Sequence, residues 1–90
     1  MIIDYKASFH RDIKKLKDKK QAARLKGIIS AIKTAKDISE IKNIRKIKGY
    51  PNHYRIKTGD HRVGAVLSGD MLILVRFLDR KEIYRYFPER

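Results

Sequence analysis

Arg55, Lys57 and Arg62 stand in the stretch YRIKTGDHR, residues 54–62, on either side of Gly59 and Asp60. Glycine and aspartate at the centre of a two-residue turn make a tight β-hairpin. That turn sets Thr58 opposite His61, Lys57 opposite Arg62 and Arg55 opposite Gly64. Directly opposed residues point to the same side of a sheet, so the three cations share one face. Tyr54, Ile56, Val63, Ala65 and Leu67 share the other and are available to pack on helices. Like charges opposed in this way disfavour the hairpin by a few tenths to about 1 kcal/mol, a cost that a bound anion removes. An anion site and the exposed basic pairs of an ordinary basic protein both fit this geometry. Gly64 leans toward the first, because a glycine inside a strand marks close approach by a ligand or another backbone.

Composition names the class of anion. Lys and Arg outnumber Asp and Glu by 23 to 10, a net charge of +13. Such an excess repels itself unless a polyanion is met in use, and nucleic acid is the leading partner. An anionic membrane is the weaker reading, since no strongly hydrophobic amphipathic helix accompanies the charge. Residues 1–48 hold 15 basic and 5 acidic side chains (+10) and residues 49–90 hold 8 and 5 (+3), so the two halves are expected to do different work. The chain has no cysteine, which removes disulfide and thiolate chemistry and fits a reducing compartment. Asp60, Asp70, Asp79 and Glu82 form no convincing ligand cluster and the three histidines are scattered, so no metal is expected. No glycine-rich phosphate loop and no Ser-His-Asp arrangement is present, and no small-molecule cofactor is expected. No leading run resembles a signal peptide and the longest apolar block, residues 71–75, is too short to span a bilayer. A cytoplasmic, soluble protein with one domain over residues 1–90 is the expectation.

The elements that hold the hairpin follow from periodicity. Residues 1–5 favour a strand. Ser8 is placed to cap a helix in which Phe9, Ile13 and Leu16 recur on one face. Asp18 with Gln21 has the form of a capping box, predicting a second helix to about Lys36. On its wheel Ala22, Leu25, Ile28, Ile29, Ile32 and Ala35 share the core arc, flanked by Lys19, Lys26 and Lys33 on one side and Lys20 and Arg24 on the other. That basic surface is either a solvated exterior or a dock for phosphates. Residues 37–48 show no clean period and are read as a helical turn leading into an extended segment. GYPN, residues 49–52, is a turn. Strands are predicted over 54–58, 61–67 and 71–78 as an antiparallel meander. Residues 80–87 close the chain as a short helix or helical turn ended by Pro88. Simple alternation puts Val66, Ile73, Val75 and Phe77 on the charged face, an apolar patch that the closing helix with Ile83, Tyr84 and Phe87 covers in part or completely.

The arrangement KIKGYPNHYRIKTGDHRVGAV followed by LVRFLDRKEIYRYFP resembles the RelE/ParE superfamily of type II toxin-antitoxin toxins, and most closely its RelE-like branch. The resemblance spans the whole chain in element order, and residues 47–88 carry its specific part. It implies an α+β fold, with an N-terminal helical hairpin packed on a twisted antiparallel sheet of about four strands and a short C-terminal helix. It implies a cognate antitoxin that wraps the toxin, and a ribosome-dependent mRNA endoribonuclease that needs no metal. Arg55, Lys57, Arg62, Arg80 and Tyr84 occupy the positions matching the family's catalytic motif. His61 stands where many relatives have tyrosine, Asp79 where many have histidine, and no C-terminal His-Tyr pair is present.

RNA supplies its own nucleophile, the 2′-hydroxyl. The protein has to accept that proton, stabilise charge on the phosphorane and assist the leaving 5′-oxygen. Like-charge neighbours lower a lysine's pKa whereas arginine stays protonated, so Lys57 is the expected base and Arg55 and Arg62 the phosphate clamp. Arg80 is assigned the departing oxygen and Tyr84 the stacking or orienting of substrate. His61 is the alternative base, with a pKa near neutrality, although alternation directs it away from Arg62. Lys19, Lys20, Arg24, Lys26 and Lys33 would hold ribosomal RNA. The other readings are a ParE-like inhibitor of DNA gyrase on the same fold and a non-catalytic RNA-binding module.

Overall fold

The computed structural model describes residues 1–88. Its chain runs β1 (Ile2–Tyr5), α1 (Ala7–Lys15), α2 (Lys19–Thr34), a 3₁₀ turn (Ile38–Glu40), β2 (Ile44–Lys46), β3 (His53–Thr58), β4 (His61–Ser68), β5 (Met71–Asp79) and α3 (Ile83–Tyr86). The five strands form one sheet in the order β1-β5-β4-β3-β2. The α+β architecture and the meander are as expected, and the sheet is one strand wider than the expected four. The extended segment before the GYPN turn pairs with β3 as β2, and β1 lies parallel to β5, which makes the sheet mixed. Among the described residues no helix is long and apolar enough to cross a membrane.

The first helix is placed by its apolar stripe. Phe9 is fully buried, with its ring 5.6 Å from that of Tyr5 and 6.4 Å from that of Phe77. Ser8 does not cap it: Lys6 is the N-cap residue, and the Ser8 hydroxyl donates to the Val75 carbonyl at 2.6 Å. The reason lies at the sheet edge. β1 pairs only with residues 71–74 of β5, so the remainder of that edge needs partners, and α1 supplies them. The Phe77 N–H donates to the Asp12 carboxylate at 2.9 Å, and Asp12 holds Arg76 through two further bonds of 2.8 and 2.9 Å. The Asp12 side chain is only 4% exposed, so this bidentate pair clamps helix to strand.

Asp18 caps α2 as predicted, accepting from the Lys20 and Gln21 amides. The reciprocal half of the box is absent. With its amide oriented to satisfy both ends, Gln21 donates to the Thr58 carbonyl at 3.0 Å and accepts from Arg24 Nη1 at 3.2 Å. The buried glutamine thus ties α2 to the hairpin, and the helix ends at Thr34, two residues before Lys36. Leu25 and Ile32 drive into the core with Ile56, Val63, Ala65, Leu72 and Leu74.

One irregularity redirects the last strand. The β4–β5 register shifts between Gly64, opposite Arg76, and Ala65, opposite Leu74, which leaves Val75 as the extra residue. A bulge inverts alternation beyond it. Phe77 therefore turns into the core opposite Val63, correcting its assignment to the charged face, and Arg76 takes the outward place. Gly64 is also explained from within the chain: a β-carbon there would stand 2.6 Å from the Phe87 ring. The close approach is by this side chain, 3% exposed, and not by a ligand. Phe87 and the fully buried Ile83 seat the closing segment on the sheet, while Val66 and Val75 stay half-buried along a cavity of about 400 Å³.

Candidate active site

The predicted hairpin register holds throughout: Thr58 faces His61, Lys57 faces Arg62 and Arg55 faces Gly64. Ile56, Thr58 and Val63 are buried on the reverse of the same strands, which fixes the outward face on which the cations lie. Gly59 supplies the turn with φ +60, and the guanidinium of Arg24 fills the place its side chain would take. Strand β2 brings a further cation, because Arg45 lies directly opposite Arg55. Two like-charged pairs, Arg45 with Arg55 and Lys57 with Arg62, stand side by side.

These residues wall a cavity of about 330 Å³, completed by Asn43 and Tyr84. No carboxylate is among its lining residues. The Arg55 guanidinium lies over the Tyr84 ring at 5.0 Å, and Tyr84 is 56% exposed. Tyr84 is held there by its neighbour Ile83, which is buried, and α3 is further tied by Arg76 over the Tyr86 ring at 4.9 Å. Arg62 is aimed by the turn, donating through Nη1 to the Gly59 and His61 carbonyls at 3.0 and 2.9 Å. Asn43 adopts φ 63, a left-handed conformation asparagine tolerates, and its carbonyl accepts from the Lys57 amide at 3.1 Å.

Four of the five residues carried by the motif therefore meet in one cavity: Arg55, Lys57, Arg62 and Tyr84. Arg80 does not line it. It is exposed on the connection from β5 to α3, where its amide donates to the Asp60 carbonyl at 2.8 Å. His61 lies on the core face, as alternation requires, with its ring 4.9 Å from that of Phe77 and its Nδ1 buried without a partner among the described residues. It is not among the residues that line the cavity. Lys19, Lys20, Arg24, Lys26 and Lys33 are all exposed along α2. Arg24 reaches the hairpin tip at Gly59. Arg45 and Asn43 were missed because β2 is only three residues long and shows no period. The signal available was the pairing of a third strand, which would set Arg45 beside Arg55. Among the described residues no group of three or more His, Cys, Asp or Glu is placed to hold a metal.

No protein-family model matches the chain. Over 66 residues, 72% of its length and 75% of the relative's, the chain is 46% identical to Toxin RelE3 of Methanocaldococcus jannaschii. The chain belongs to the RelE family of type II toxins. Its fold matches a chain of the RelB-RelE antitoxin-toxin complex from Methanococcus jannaschii with a TM-score of 0.80 and 37% identity, covering 94% of this chain and 99% of that one. YafQ from E. coli strain BL21(DE3) shares the fold at a TM-score of 0.72 and 15% identity, over 91% and 96% of the two chains. Within this RelE-like toxin the cationic cavity lies on the outer face of the hairpin, beside the closing helix.

Proposed function

We propose that this toxin is a ribosome-dependent mRNA endoribonuclease, working in the cytoplasm and restrained by a cognate antitoxin. The observation that carries the reading is a cavity walled by Arg45, Arg55, Lys57 and Arg62 with a half-exposed tyrosine at its rim and no carboxylate in its lining. Such a site attracts a phosphodiester and stabilises the additional charge of a phosphorane. Lys57 is its only lining group able to cycle between ammonium and amine, since arginine stays protonated. Lys57 accepts the 2′-hydroxyl proton, the 2′-oxygen attacks phosphorus, and the P–O5′ bond breaks to leave a 2′,3′-cyclic phosphate and a 5′-hydroxyl. Arg55 and Arg62 hold the phosphate oxygens and neutralise the departing 5′-oxygen until solvent protonates it. Arg80, outside the cavity lining, serves a flanking phosphate in preference to the leaving oxygen. Tyr84 stacks on a base beside Arg55.

The exposed stripe of Lys19, Lys20, Arg24, Lys26 and Lys33 supports a second contact, with ribosomal RNA, through sequence-independent phosphate binding. The likeness to a toxin crystallised with RelB supports an antitoxin partner for this chain. Expression of the chain without an antitoxin, followed by transcriptome-wide mapping of RNA ends, tests the reading. New 5′-hydroxyl ends confined to translated frames are expected. Growth arrest with intact mRNA and altered supercoiling would replace it with gyrase inhibition.

A further inference from the structure

A second and larger concavity, of about 670 Å³, adjoins the cationic cavity between α2 and the β2–β3 edge. Its size suits a drug-sized or nucleotide-sized ligand. Gly27, Ile28 and Ala31 of α2 and Ile41 give it an apolar wall, and Arg24 and Lys42 add exposed cations at its margin. Two residues, Asn43 and Lys57, line both cavities, so the two concavities meet at this sheet edge.

Gly27 is the residue that the fold itself does not explain. It lies inside α2, where glycine weakens a helix relative to alanine. Its backbone is not left-handed, and a β-carbon there would meet nothing within 4 Å. Neither close packing nor a turn calls for glycine at this place. What glycine provides is room in the concavity, which a side chain at this position would fill.

We infer that this concavity binds the nucleotide next to the scissile phosphate on the same RNA strand, with the base against the Gly27, Ile28 and Ala31 wall and Asn43 at the junction presenting its amide to the base edge. The assignment rests on the endoribonuclease reading of the adjoining cavity. Charge selects the occupant: Arg24, Lys42 and Lys57 border the groove against the single acid Glu40, which suits a phosphate-linked strand better than a protein segment. A carboxamide where the two concavities meet can donate and accept at once, which is what discrimination among base edges needs.

The test uses the full chain and a fluorescent single-stranded oligoribonucleotide, 2′-O-methylated throughout so that it cannot be cut. Gly27→Leu fills the groove from a position with open space and favours the helix, so its melting temperature is expected to equal or exceed that of the unsubstituted chain. Its affinity for the oligonucleotide is expected to fall about tenfold with the slope of log affinity against log salt unchanged, since no phosphate contact is removed. Ala31→Leu, one turn on, is expected to act likewise, whereas Lys57→Gln lowers the salt slope. An affinity for Gly27→Leu within about twofold of the parent overturns the inference, as does failure of the parent to bind. Loss of antitoxin binding with RNA affinity intact would assign the groove to the protein partner and overturn it also. Cleavage is not read here, so a chain that binds in this way and cuts nothing fails the nuclease reading and leaves the groove as a base-binding site on an uncut strand.

Discussion

Gly64→Ala tests how the closing segment is seated and, through it, how Tyr84 is presented. The added β-carbon would lie 2.6 Å from the Phe87 ring, whereas carbon contacts are comfortable at about 3.5–4.0 Å. The ring has to retreat by about 1 Å in a packed environment, and overpacking of this kind costs about 1–3 kcal/mol. Alanine in place of glycine in a strand returns about 0.5–1 kcal/mol, which leaves a net destabilisation of about 0–2.5 kcal/mol, centred near 1. With a urea m-value of about 1–1.5 kcal/mol/M for a chain of this size, the unfolding midpoint should fall by about 1 M. The same displacement moves α3, so the contact of Arg55 with Tyr84 loosens and RNA cleavage should weaken more than stability does. A double-mutant cycle isolates the cause: in a Phe87→Leu background Gly64→Ala should cost under about 0.5 kcal/mol. Equal cost in both backgrounds would refute the packing argument.

Asp12→Ala removes three hydrogen bonds, leaves the Phe77 amide without a partner at the β5 edge and strands Arg76. Because Arg76 keeps some solvent contact, the low end of the range for a broken buried pair applies, about 3 kcal/mol by urea denaturation. Arg45→Ala should lower RNA affinity and reduce the salt slope by about 1, as read by fluorescence anisotropy, without lowering the unfolding midpoint, since it relieves the repulsion with Arg55. Reversing the charges at Lys19, Lys26 and Lys33 together should weaken ribosome binding by at least about tenfold at low salt while cleavage of a bound message is spared; co-sedimentation reads the first and primer extension the second.

How much of this site could be read from the chain depends on what fixed each residue's direction. The hairpin was legible because a Gly-Asp turn leaves one register, and that register placed Arg55, Lys57 and Arg62 on one face and His61 on the other. The continuation into β5 was not, because residues 71–75 are an unbroken apolar run in which nothing marks Val75 as supernumerary, and one such residue turns Phe77 inward. In the sequence Asp12 is one charged residue among several in α1. Its importance comes from a strand edge 65 residues away in sequence, which no local pattern reports. Ser8 was misjudged for the same reason, since the carbonyl it satisfies belongs to β5. Arg45 was hidden by the shortness of β2. Gly64 was rightly marked as a place of close approach, yet its partner lies in the chain's own closing segment.

The central claim is that Lys57, set between cations on an acid-free face, is the base for metal-independent RNA cleavage. The most direct measurement is the single-turnover rate of mRNA cutting on programmed ribosomes, with EDTA-washed components and matched free magnesium, for Lys57→Ala and His61→Ala. Lys57→Ala is expected to lose about 10²–10⁴-fold in rate with ribosome binding retained, the range that general-base catalysis contributes. His61→Ala is expected to cut at a rate set only by its folded fraction. Full cleavage by Lys57→Ala together with loss in a folded His61→Ala would contradict the account.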